Sequence, residues 1–190
     1  MAPPLPRAAH LLAFSAADAA YRTAGRPDTT AEVVGSQLLW RAGAAPRGPA
    51  EAVEAAPVFL GQLHGAELPR IGLIRSCYAF CRKQGAVYRP HPGERDLLSR
   101  LVHRWWCRRG IAFDDAGQPL TRLRSPVVSV FSTGVLEAAA LGLPAWVHHR
   151  RPPAWLRELW GRYGMRPWGG QPTPAPDRPD VEPAQIGRAH

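Results

Sequence analysis

Lysine is almost missing from this chain of 190 residues. Lys83 is the only one, although lysine and arginine together number 24 and the formal net charge is +9. The charge is therefore arginine, and with 21 prolines and abundant alanine beside it, it carries the bias that coding sequence rich in G and C produces by itself. The arginines are scattered rather than gathered into one run. This composition points to a solvated basic surface and away from a nucleic-acid partner. Cysteine is scarce too: three, an odd number, close no disulfide framework, so a reducing compartment is expected. No stretch approaches the roughly 20 apolar residues of a membrane span. The opening MAPPLPRAAHLLAF lacks a hydrophobic region followed by a cleavage site. The expectation is a cytoplasmic protein without a transmembrane segment, with mixed Arg and Trp residues that would permit peripheral contact with a membrane.

What is present is alternation. From about Pro57, short apolar runs alternate with amphipathic segments, the pattern of a parallel sheet crossed by helices. PVFLGQ (57–62), AVYRP (86–90), IAF (111–113), VVSVF (127–131) and AWVHH (145–149) read as strands. Helices are expected over 67–84, with Leu68, Ile71, Ile74, Cys77, Tyr78 and Cys81 on one stripe, and over 94–109, burying Leu97, Leu98, Leu101, Val102 and Trp105. Two more follow at 134–142 and after Pro152 and Pro153, the last with Trp155, Leu156, Leu159 and Trp160 as its apolar face. A helix around Ala16 to Thr23 and a strand and turn at VVGSQLLW (33–40) precede them. The division that results is a remnant of a first domain (1–40), a linker (41–56), a compact domain (57–170) and a Pro-rich disordered tail (171–190).

Two turns at strand ends attract attention. In SVFSTGVLEAAALGLP (129–144), Ser132, Thr133 and Gly134 join an apolar strand to a helix with Glu137 in its first turn. Small hydroxyl residues and glycine at such a junction gather free N–H groups and the positive helix end, which suits a phosphate. About forty residues upstream, YRPHPGE (88–94) places Arg89, His91, Pro92 and Glu94 after another apolar run. Each has a plainer reading: His91-Pro92 as a strand terminator, Ser132-Thr133 as a helix cap, Glu137 as a first-turn acid favoured by the dipole. Cys77, Cys81, His103 and Cys107 have i, i+4 spacings that could offer metal ligands, but Cys77 and Cys81 share an apolar stripe where cysteine acts as a small hydrophobe, so no metal is expected. Asp114-Asp115 reads as a turn in preference to a cation site. His148-His149-Arg150-Arg151 is either added positive potential at a strand end or an ordinary exposed loop.

The two turns, in this order and at this spacing, resemble the nucleotide-binding half of bacterial GT-B glycosyltransferases, above all capsule and lipooligosaccharide sialyltransferases and polysialyltransferases with a His-Pro and a Ser-Ser/Thr motif. The likeness covers residues 57–170. It implies an α/β fold, a Rossmann-like parallel sheet with helices on both faces, forming one half of a GT-B enzyme. It further implies that His91 contacts the phosphate of a nucleotide sugar and assists its departure, with Ser132 and Thr133 on the same phosphate. Arg89, Pro92, Glu94, Gly134 and Glu137 complete the nucleotide site, Glu137 by way of the ribose hydroxyls. A CMP-sugar is favoured over a UDP-sugar, the sugar passes to a glycan acceptor, and neither cofactor nor metal is called for. The acceptor half and its general base would come from elsewhere, a partner protein included. A non-catalytic α/β interaction module is the alternative.

Overall fold

A computed structural model describes residues 6–44, 56–63, 67–114 and 117–177. The chain runs β1 (His10–Ala13), α1 (Ala16–Thr23), β2 (Thr30–Val33), α2 (Gln37–Ala44), β3 (Val58–Leu60), α3 (Arg70–Gln84), β4 (Val87–Arg89), α4 (Leu97–Arg108), a 3-10 turn (Leu120–Arg122), β5 (Val127–Ser129), α5 (Gly134–Ala140), β6 (Ala145–Val147) and α6 (Ala154–Arg162). β3 to β6 form one parallel sheet in the order β4-β3-β5-β6, with Phe59 level with Tyr88 on one side and Val128 on the other. Their short runs are mostly apolar because both faces are covered; the polar exceptions, Arg89 and Ser129, stand at the last positions of β4 and β5.

Single parallel bridges extend each edge, Phe113 beside Tyr88 and Pro167 beside Val147. Counted in chain order with these two, the six positions run 3-2-1-4-5-6, the Rossmann order. The expected α/β sheet with helices on both faces is therefore present. Its handedness rule sends α3 and α5 to opposite faces, since their crossovers run in opposite directions along the sheet. Adjacent residues of β3 record this: the Phe59 ring lies 5.3 Å from Phe80 of α3, whereas Leu60 reaches Gly134 at the start of α5. IAF contributes one bridge only, the Tyr88 amide bonding the Ala112 carbonyl and the Asp114 amide the Tyr88 carbonyl.

α3 ends where Gly85 turns left-handed at φ 62° and its N–H caps the Cys81 carbonyl, a geometry that glycine adopts without a Cβ penalty. α4 begins at Asp96, whose carboxylate accepts from the Ser99 amide at 3.1 Å and from Arg70 at 2.6 Å. Arg70 first, then the Ser99 hydroxyl, hold that carboxyl well below the usual range.

Three expectations need correction. α4 does not bury Leu97, Leu98, Leu101 and Trp105, all of which are exposed; Ser99 and Trp106 are buried instead. The side turned to β4 is the one whose polar groups find partners there, Ser99 with Asp96 and His103 with Glu94. Second, VVGSQLLW is strand only to Val33, and Gln37 onward is helical to Ala44, inside the expected linker. Ser36 accounts for it, its hydroxyl accepting from the Leu39 amide at 3.4 Å as an N-cap does. Third, the chain beyond 170 continues to pack: the Thr173 amide bonds the Ala145 carbonyl at 2.8 Å, and Thr173 is buried. Residues 178–190 and 45–55 lie outside the described residues.

The N-terminal unit is its own parallel pair, β1 beside β2 with α1 between. It is tied to α6 by Tyr163, which donates to Asp18 at 3.2 Å and packs edge-on to Phe14. α2 lies on α5. Cys77 and Cys81 are buried in the core while Cys107 is exposed. Among the described residues no helix is long and apolar enough to cross a membrane.

Candidate functional site

Parallel strands deliver all their following loops to one edge, and a doubly wound sheet opens a crevice there where the strand order reverses. In this chain the reversal falls between β3 and β5. Gly61–Leu63 leave one strand and Val130–Thr133 the other. Gln62 spans them: its Oε1 accepts from the Phe131 amide and the Ser129 hydroxyl, each at 2.9 Å.

His91 stands at the end of β4, on the far side of β3 from Ser132. Two strand spacings separate the turns, roughly 10 Å, a gap that a nucleotide could bridge. His91 and Pro92 are exposed. The Gly93 amide donates to His91 Nδ1 at 3.0 Å, which leaves the proton of a neutral ring on Nε2. The His91 amide in turn donates to Glu94 at 3.3 Å.

Glu94, which the resemblance places in the nucleotide site, is not a surface residue. Its side chain is fully buried. It accepts from the Leu63 amide at 3.0 Å, from Tyr88 Oη at 3.0 and 3.1 Å, and from His103 Nε2 at 2.8 Å. With the His91 contact, one carboxylate knits the loop after β3, the end of β4 and helix α4. Arg89 is likewise drawn inward. Its guanidinium bonds the Gln118 carbonyl and lies 3.8 Å from Asp114, so it ties the end of β4 to the segments on either side of residues 115–116; Asp115 is outside the described residues.

At the second turn, Ser132 accepts its own helix: its hydroxyl takes the Gly134 amide at 3.1 Å and its carbonyl the Val135 amide at 3.1 Å. The cap reading of Ser132 is thus realised, and α5 has only seven residues, so its dipole contributes less than a long helix would. Gly134 is buried against Leu60, while Thr133 is exposed and makes no side-chain cap. Burial pushes the Glu137 carboxyl up, with Arg89 acting against it.

Thr133 lines a cleft of about 480 Å³ shared with Phe131, Asp18, Arg22 and Tyr163, between the sheet edge and the N-terminal unit. A second cleft of about 500 Å³ opens at the end of β6, among His148, His149, Arg157, Trp160 and Trp168. Burial, then the neighbouring His149, Arg150 and Lys83, lower His148 to about 4. Its ring packs 4.7 Å from Phe80. Because the unfolded chain binds a proton near pH 6.5 and the folded one only near 4, stability should fall as pH drops through that window. Thermal midpoints of His148→Phe should show a shallower acid slope than the parent; parallel slopes would contradict it.

Gly61, Gln62 and Tyr88 were absent from the expected site, and His103 entered it only as a metal ligand and not as a partner of Glu94. Gly61 at the end of a buried strand was the one available signal, since glycine there often marks a close backbone approach. No protein-family model, no curated protein and no solved structure matches this chain; the strand order and register establish an α/β domain of Rossmann-like architecture with a parallel sheet.

Proposed function

We propose that this domain binds the nucleotide of a nucleotide sugar across the β3/β5 crevice, as the donor half of a glycosyltransferase. The observation that carries the reading is the position of the two turns, His91-Pro92 and Ser132-Thr133, at the same sheet edge on either side of the strand-order reversal. His91 Nε2 donates to the phosphate that leaves with the nucleotide, and the hydroxyls of Ser132 and Thr133 approach it from the other side. Charge grows on that phosphate as the glycosidic bond breaks, and donors held in place before the reaction stabilise it there. A CMP-sugar is favoured over a UDP-sugar, sialic acid being the sugar the resemblance suggests. The cleft beside Thr133 gives the sugar room next to the N-terminal unit. A glycan acceptor and the general base belong to a further domain or a partner protein, because transfer needs both reactants positioned together.

Calorimetric titration with CMP and with UDP tests this reading. Saturable binding of CMP, weakened about tenfold by His91→Ala and by Thr133→Ala, is expected, in line with the loss of one charge-assisted hydrogen bond. Absence of saturable heat with either nucleotide at millimolar concentration sinks it. The other reading, a non-catalytic interaction module, is favoured by the cap role of Ser132 and by the internal roles of Glu94 and Arg89, and predicts a stable oligomer without nucleotide affinity in light scattering.

A further inference from the structure

The outer side of α3 and α4 holds the largest group of exposed apolar side chains in the domain. Leu97 is 67% exposed, Leu101 55%, Leu98 45%, Trp105 42%, and Ile71 of α3 66%. On α4 the four fall within about 100° of the helix circumference, at i, i+1, i+4 and i+8. They form a stripe turned away from the core. Ordinary surfaces scatter such residues singly, and a contiguous patch marks a contact site.

The charge beside the stripe identifies the contact. Arg100, Arg104 and Arg108 form a row along its edge, and α4 contains no carboxylate. α3 contains none either, while carrying Arg70, Arg75, Arg82 and Lys83. Two adjacent helices thus present seven cations, of which, among the described residues, Arg70 alone is paired with an acid, Asp96. Trp105 lies between the two helices, stacked 4.8 Å from Tyr78, with Arg109 5.5 Å over its ring. An apolar stripe, an arginine border and an indole at the boundary are what an anionic lipid surface accepts: the aliphatic groups enter the acyl boundary, the indole stays at headgroup level, and the guanidinium groups meet phosphates.

We infer that the α3–α4 face docks the domain on a bilayer containing anionic lipid. A second copy fits less well, because a two-fold contact would set the arginine rows against each other. Nucleic acid fits less well too, since it rewards arginine and stacking aromatics but not four exposed aliphatic side chains. The sheet edge that carries His91 and Ser132 is not part of this face, so the inference stands apart from the nucleotide reading.

Flotation of the full chain with vesicles of phosphatidylcholine, alone or mixed with phosphatidylglycerol, provides the test. Flotation with the mixed vesicles only, reduced by raised salt, is expected. Leu101→Glu should lower the floated fraction at least tenfold, and Arg100→Glu with Arg104→Glu severalfold, all at unchanged thermal midpoint because these side chains are exposed. Leu101→Ser, milder on folding, should act in the same direction. Failure to float with mixed vesicles, flotation unaltered by Leu101→Glu, a lipid-free dimer that Leu101→Glu dissociates, or salt-sensitive retention on single-stranded nucleic acid in place of flotation would each overturn the inference.

Discussion

Replacing Glu94 by alanine should cost about 3–5 kcal/mol of folding stability, the range found when one member of a buried charged network is removed. The carboxylate is fully enclosed and takes hydrogen bonds from Leu63, Tyr88, His91 and His103. Alanine leaves those donors facing a cavity, and each unpartnered buried donor costs about 1–3 kcal/mol in its own right. A domain of this size holds only about 5–15 kcal/mol in total, so roughly a fifth or more of it is at stake. At about 2–4 °C per kcal/mol the thermal midpoint should drop by roughly 10 °C. Glu94→Gln keeps the shape and one acceptor, and it should cost less than half as much. A Glu94→Ala midpoint within about two degrees of the parent would mean that water replaces the carboxylate, and the network would not be what fixes the His91 loop. Since His91 is held through its amide, Glu94→Gln should also weaken nucleotide binding if the donor reading is right, without removing any atom that touches the nucleotide.

The sheet was legible because burial on both faces leaves VFL, VYR, VVS and AWV with no polar alternation to confuse. The helices between them were legible by length and spacing. The inward face of α4 was not. Leu97, Leu98, Leu101 and Trp105 make a more regular apolar stripe than Val102 and Trp106, and periodicity selects the more regular stripe. It has no means of knowing that Ser99 and His103 have polar partners on other elements. The site shows the same limit. His91, Thr133 and the crevice could be placed from strand ends alone, whereas Glu94 looks like any polar loop residue until Tyr88 and His103 are brought to it from β4 and α4. Ser36 and its helix illustrate a local signal that was there to be read: a serine three residues before Leu39 caps α2. The apolar run VV before Gly35 pulled the reading toward a strand.

Gly61→Ala is the second large effect expected, and its size follows from what the added methyl would meet. A Cβ at Gly61 lies 2.4 Å from Tyr88 Oη, 2.6 Å from Glu94 Oε1 and 2.7 Å from Tyr88 Cζ. None of these atoms can yield cheaply: Tyr88 is enclosed by Trp106 and Phe113, Glu94 is fixed by its donors, and Gly61 itself is anchored by its amide to the Arg89 carbonyl at 2.8 Å. Overpacking of this kind costs about 1–3 kcal/mol, and parting Tyr88 from Glu94 adds about 1–3 kcal/mol for a buried group left unpartnered. Gly134→Ala supplies the contrast. Its nearest neighbour, at 2.7 Å, is Leu60 Cδ1, the far end of a flexible side chain, and alanine within a helix gains about 0.5–1 kcal/mol over glycine; the net change should stay within about 1 kcal/mol. Denaturant midpoints of the two variants check the difference. The mechanism is separable as well, because Tyr88→Phe removes the atom closest to the new methyl. Adding it to Gly61→Ala should therefore cost less than the sum of the two single changes, whereas strict additivity would place the strain in the backbone of the loop after β3 and not in the Tyr88–Glu94 contact.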